Sequence, residues 1–95
     1  MKSRFIVVAY DVVSDKRRLR LSHYLETYGN RINLSVFECS VPSSEVKKFK
    51  RDVAAMVHLS TDTVVFYDLC LDCVANIDRI GLGARQVDPS VVTVV

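Results

Sequence analysis

A tyrosine and an aspartate close the apolar run Phe5-Ile6-Val7-Val8-Ala9-Tyr10-Asp11, and four cations, Lys16, Arg17, Arg18 and Arg20, follow shortly after that carboxylate. An acid at the end of a strand sits where backbone order is high and solvent begins, which is where sites tend to be built. The four cations fall in the first turns of the helix that should follow, the end at which positive charge is disfavoured by roughly 0.3–1 kcal/mol per residue. Gathering them there beside a carboxylate suits a polyanion, so the stretch reads as a phosphate-facing site. Tyr10 is equally plausible as an aromatic at the edge of the core and as a substrate contact.

The elements that must hold this stretch follow from periodicity. Residues 4–11 carry Phe5, Val7 and Ala9 on one side and Ile6, Val8 and Tyr10 on the other, so both faces call for burial and the strand should be central. Ser14 or Asp15 can cap the next helix, and Leu21, Tyr24, Leu25 and Tyr28 give it an apolar stripe. Leu19 lies off that stripe, exposed or awaiting a partner. Gly29 and Asn30 are expected to end the helix with a left-handed cap. Arg31 to Val41 is β-rich, as one bent strand or as two short ones broken near Ser35. Pro42, Ser43 and Ser44 mark a turn and cap, and Val46, Phe49, Val53, Met56 and Val57 form the stripe of a second helix. Lys47, Lys48, Lys50 and Arg51 on its other side read as a solvated face in preference to a nucleic-acid contact.

Thr63 to Cys70 is expected to be another strand buried on both faces over most of its length, with Asp68 interrupting it near the end. Ala75 to Gly81 is a weaker strand candidate, Gly81 to Pro89 a loop, and Val91 to Val95 a terminal strand. Ninety-five residues with 49% hydrophobic and 25% charged content make one domain, and the order of its strands and helices makes it α+β. The expected architecture is a ferredoxin-like antiparallel sheet with two helices on one face, residues 1–81 forming the core and 82–95 a loop and C-terminal strand. A terminal strand of β-branched residues is an exposed edge unless it is paired. A homodimer in which it adds to the partner's sheet supplies that pairing.

No apolar run approaches the ~20 residues that span a bilayer, and no secretory signal is evident, so no membrane is expected and the cytoplasm is the expected location. The net charge of +2 is unevenly spread. Residues 1–31 hold seven basic against three acidic side chains, and residues 61–95 hold two against five. Such a basic pole is compatible with nucleic-acid contact.

In the order and spacing of these elements the chain resembles the CRISPR-associated protein 2 family. The match rests on the strand ending in Tyr10-Asp11, the arginine-rich start of the first helix, Tyr28-Gly29, Arg31 and the Ser35-Val36-Phe37-Glu38-Cys39 stretch. A strand ending in Leu69-Cys70, Cys73, a Gly81 turn and a short apolar tail follow in the same order. Where the family often carries a glutamine and an aromatic, this chain has Asn33 and Leu34, a shorter polar reach and no ring. The resemblance implies a ferredoxin-like homodimer that acquires new spacers alongside the CRISPR-associated integrase, holding DNA between integrase pairs. It also implies a metal-dependent endonuclease acting on RNA or duplex DNA. Asp11 becomes the magnesium ligand, and Tyr10, Arg18, Arg20, Arg31 and Phe37 become supporting positions beside Lys16 and Arg17. Magnesium takes one or two carboxylates and keeps several waters, so a site shared by two Asp11 across a two-fold axis is expected. Three readings stay open: a nuclease that cuts, a non-catalytic scaffold that holds DNA, and an RNA-cutting toxin on the same fold.

The remaining signals point elsewhere. Cys70-Leu71-Asp72-Cys73 is a C-x-x-C, but Cys39 is the one further cysteine, so a second pair for a zinc ribbon is missing. Buried or partly buried reduced thiols are expected, and His23 and His58 are expected to be surface or structural residues.

Overall fold

The computed structural model describes residues 2–81. The expected loop and terminal strand of residues 82–95 lie outside the described residues. The apolar run near the start forms β1 (Ser3–Asp11), followed by α1 (Asp15–Glu26), β2 (Gly29–Asn33), β3 (Val36–Pro42), a single 3-10 turn (Ser43–Glu45), α2 (Val46–Ala55), β4 (Thr63–Leu69) and a short α3 (Leu71–Ala75). The four strands make one antiparallel sheet in the order β2-β3-β1-β4. That order, with one helix between β1 and β2 and another between β3 and β4, is the ferredoxin-like arrangement of an α+β domain.

β1 is central, as its composition predicts. Val8 faces Phe37 of β3 and Phe66 of β4, and Ile6 faces Cys39 and Asp68. On this side Ile6, Val8, Phe37, Cys39 and Val41 are sealed by Leu21 and Leu25 of α1 and by Phe49 and Val53 of α2. Each such side chain contributes about 1.5–3 kcal/mol by leaving water. Phe49 is the hub, its ring 4.9 Å from Tyr28 in an edge-on contact and 5.9 Å from Phe66. Both long helices therefore cover one face. The opposite face of β1 is only partly buried, contrary to expectation, since among the described residues only α3 and the segment just after it reach it. There Val74 packs on Phe5 among Val7, Leu69 and Ile77.

Ser14 caps α1, its Oγ accepting the Arg17 N–H at 3.2 Å. The left-handed cap at Gly29 and Asn30 is not formed. α1 ends at Thr27 in right-handed backbone, and Gly29 already belongs to β2. A Cβ there would meet the Glu38 carbonyl oxygen and lie 2.7 Å from the Cys39 Cα, so the position needs glycine for close approach of two strands. Arg31 to Val41 is two strands, with a turn at Leu34-Ser35 held by the Asn33 Oδ1, which accepts the Ser35 N–H at 3.0 Å. Pro42 to Ser44 turn the chain as expected, but no serine side chain caps α2, because the 3-10 turn leads straight into it.

β4 departs from the expectation of burial on both faces. Among the described residues it pairs with β1 alone, and Val65 and Tyr67, which face away from the long helices beside Ala9 and Val7, are 38% and 53% exposed. The strand expected at Ala75 to Gly81 is absent among the described residues. Cys70 instead starts α3, and Arg79 beyond it reaches back to form a nearly buried ion pair with Glu38, at 2.6 Å.

Candidate functional site

β1 ends at Asp11, Val12 turns back into the core, and Ser14 opens α1. This corner forms one wall of an open cleft of about 760 Å3, and the β2-β3 turn with Arg31, Leu34 and Ser35 forms the other. Tyr10 joins the two. Its hydroxyl donates to the Leu34 carbonyl at 3.3 Å and its N–H to the Ser35 carbonyl at 3.0 Å. Burial raises its pKa, against the opposing pull of Arg31 and Arg18, so the phenol is protonated at neutral pH and serves as a donor, not a base.

Asp11 stands exposed at the rim, opposite Thr63 in the ladder, and is in no ion pair or side-chain hydrogen bond among the described residues. The other carboxylate of the cleft, Asp15, is ion-paired to Arg18. Arg18 is further committed: its Nη1 donates to the carbonyls of Val12 at 2.7 Å and Val13 at 3.2 Å, which fastens the strand-to-helix corner. Arg17 turns away to Asp62, donating from Nε at 3.0 Å and Nη2 at 3.2 Å.

Lys16 and Arg20 are exposed and belong to no ion pair among the described residues. Arg31 is exposed too, its guanidinium 5.6 Å from the Phe37 ring centroid. Phe37 is wholly buried, so its ring supports Arg31 from beneath and is closed to a ligand. The structure thus brings Tyr10, Asp11, Arg18 and Arg31 around one cleft, leaves Lys16 and Arg20 free on the helix, and withdraws Arg17 into the framework.

Magnesium asks for hard oxygen donors in open positions. Among the described residues no group of three or more His, Cys, Asp or Glu side chains is placed to hold an ion. Asp11 has the right chemistry and is free, and one chain supplies half of a two-carboxylate set. No histidine lines the cleft, His23 and His58 both being exposed elsewhere.

Asp62 is the residue that sequence reasoning missed. Its side chain is fully enclosed and accepts from Val13 N–H at 3.0 Å, His58 N–H at 2.8 Å and the Thr61 hydroxyl at 3.1 Å besides Arg17. The Arg17 guanidinium above all holds its carboxyl well below the usual aspartate range. Nothing near Asp62 in the chain marks it, because its main partner lies 45 residues away.

Comparison with known proteins bears on the same elements. The family model of CRISPR associated protein Cas2 matches residues 4–77. The CRISPR-associated endoribonuclease Cas2 4 of Rhodospirillum rubrum is 37% identical over 83 residues, 87% of this chain and 65% of that protein. The chain therefore spans just under two thirds of that relative's length. The crystal structure of Streptococcus pyogenes Cas2 at pH 6.5 superposes with a TM-score of 0.71 at 29% identity, covering 81% of this chain and 99% of that one. A chain of a partial Cas6-RT-Cas1–Cas2 complex superposes at 0.66 with 26% identity, over 85% of this chain and 92% of its own length. Among the described residues no helix is long and apolar enough to cross a membrane. With a model match running from β1 through α3 and a fold shared with solved members, the chain belongs to the CRISPR associated protein Cas2 family.

Proposed function

We propose that the protein is a nucleic-acid-binding homodimer of CRISPR adaptation that holds DNA for the integrase and hydrolyses phosphodiester bonds at a magnesium site formed by two Asp11. The observation that carries this reading is the free, exposed carboxylate of Asp11 beside a cleft bearing Arg31, with Lys16 and Arg20 free on the adjoining helix. The relative's name as an endoribonuclease and the neighbour's place in a complex with Cas1 support both halves of it.

Asp11 and its symmetry mate would hold the ion, which when bound activates a water and offsets charge on the phosphate. Arg31, held over the Phe37 ring, orients a phosphate oxygen. Tyr10, protonated and tied to Leu34, keeps the β2-β3 turn at its distance from Asp11. Lys16 and Arg20 contribute sequence-independent phosphate contacts.

A scaffold that does not cut is favoured by a separate observation: Lys16, Arg20 and Arg31 owe none of their placement to Asp11, and the second carboxylate of the cleft, Asp15, is committed to Arg18. Asp11→Ala separates the two readings. Magnesium-dependent cleavage of matched RNA and duplex DNA is expected to fall on the order of 10²–10³-fold, while binding and assembly with the integrase are retained. Undiminished metal-dependent cutting by this variant rules out the hydrolytic site. Spacer acquisition that survives without cutting assigns the biological role to the scaffold, and acquisition that fails while assembly is intact assigns it to Asp11 chemistry. Lys16→Ala and Arg20→Ala should each lower the salt slope of binding by about one, and an unchanged slope in the double variant would move the nucleic-acid surface elsewhere.

A further inference from the structure

The C-x-x-C pair lies at the far end of the sheet from Asp11, and the structure contradicts the expectation that its thiols are buried. Cys70 and Cys73 are both exposed and reduced, whereas Cys39 is enclosed in the core. The two exposed sulfurs stand 3.0 Å apart, and the Cys73 N–H donates to the Cys70 Sγ at 3.4 Å as α3 begins. A disulfide needs about 2.05 Å, so closing the bond asks for a movement of about 1 Å in side chains that solvent already reaches. Cys70 also lines an open cleft of about 510 Å3 with Lys2, Arg4, Ser43, Leu71 and Val74. Arg4 there is paired with Asp68 at 2.9 Å, and Lys2 is exposed and in no ion pair among the described residues. A cleft with one free cation, an apolar wall and a thiol suits a small disulfide that carries carboxylates.

We propose that Cys70 and Cys73 form a dithiol site that exchanges with a low-molecular-weight, carboxylate-bearing disulfide of the glutathione class, with Cys70 as the attacking sulfur and Cys73 as the resolving one. In the first step the Cys70 thiolate attacks one sulfur of the small disulfide, a mixed disulfide forms and one small thiolate leaves. The Cys73 sulfur, giving up its proton, then attacks the Cys70 Sγ, and the second small thiolate leaves. The protein loses two hydrogens and two electrons to give the Cys70–Cys73 disulfide, and the small disulfide is reduced to two thiols. The division of roles agrees with the environment of each sulfur. The Cys73 thiol beside it lowers the Cys70 pKa, and that same contact raises the Cys73 pKa. Cys39 takes no part, since burial pushes its thiol up to about 12. In a reducing compartment such a pair is a transient redox couple, not a structural bridge.

The test equilibrates the full chain with oxidised and reduced glutathione at graded ratios, quenches by alkylation and reads intact and peptide mass. The expected product is a chain lacking two hydrogens and linked between Cys70 and Cys73, with Cys39 still free. Cys73→Ser should stop at a stable glutathione adduct on Cys70, and Cys70→Ser should form an adduct on Cys73 at least tenfold more slowly. A Cys39→Ser chain, which keeps both exposed thiols, should behave as the parent does. The proposal is overturned if Cys39 reacts before the pair, if disulfides between chains dominate, or if Cys70 and Cys73 react at equal rates in the single variants.

Discussion

The two faces of the sheet share a backbone but differ in nearly everything else. The helix-covered face buries Ile6, Val8, Phe37, Cys39 and Val41 completely, and polar groups at its margins are matched, as when the Tyr24 hydroxyl donates to Asp52 at 2.7 Å between α1 and α2. The other face has α3 and the Arg79–Glu38 pair over part of it, and leaves Val65 and Tyr67 open. Stability is concentrated on the first face. Exposed apolar and aromatic groups on the second are what interaction surfaces are made of. β1 serves both, since alternate side chains of one strand enter the core and the bare side.

The sharpest way to break this comparison is to open the covered face. Phe49→Ala removes the ring that joins Tyr28 and Phe66, and should lower the unfolding free energy by about 3–5 kcal/mol, read from the midpoint of a urea transition. Small domains have only about 5–15 kcal/mol in hand, so partial unfolding at room temperature is the expected companion. A loss below about 1 kcal/mol would show that the long helices do not carry the fold.

A smaller effect is expected at the corner where α1 meets the start of β4. Asp62 gathers Arg17, Val13 and His58, so Asp62→Asn should lower the melting temperature at neutral pH by roughly 5–10 °C, the scale on which 1–2 kcal/mol acts in a domain of this size. The pH dependence has a definite sign. The folded pKa of Asp62 lies below the unfolded one, so its stabilisation is complete above the unfolded value of about 4 and is lost as pH falls through the lower folded value. The parent should therefore lose stability on acidification below about pH 4 more steeply than Asp62→Asn does. Parallel acid limbs in the two melting profiles would remove Asp62 as the clasp. Asp11, exposed and in no ion pair among the described residues, has no such clasp there.

Local patterns were legible in the chain, and long-range commitments were not. The strand at residues 4–11, a cap at Ser14 or Asp15 and both long stripes follow from spacing alone, because each is decided by neighbours within a few residues. The sequence places a weak strand candidate at Ala75 to Gly81 and shows nothing of α3 just before it, since five residues cannot display a helical period and the cap is a cysteine, outside the usual capping set. Gly29 reads as a cap in the sequence because the backbone of β3 that it must clear is ten residues away. The four cations at the start of α1 looked alike for the same reason. Arg17 and Arg18 are spent on Asp62 and on the corner carbonyls, and only geometry separates them from Lys16 and Arg20. Asp11 stands as expected at the strand end, but its sufficiency was a matter of ligand count, and one chain offers one free carboxylate there.

The smallest effect is the most informative about the open face. Tyr67 lies beside Val7 with more than half of its surface in solvent, so Tyr67→Ala should change the unfolding free energy of the dilute chain by less than about 0.5 kcal/mol. If a second copy docks on this face, the melting temperature of the parent must rise with protein concentration, because binding that favours the folded state stabilises it by mass action. The variant should lose that dependence and sediment as a lighter species at concentrations where the parent is paired. A flat melting temperature in the parent over a hundredfold range of concentration, with no change in sedimentation, would show that the bare face is not where the chains meet. The two Asp11 carboxylates would then need another route to a common ion.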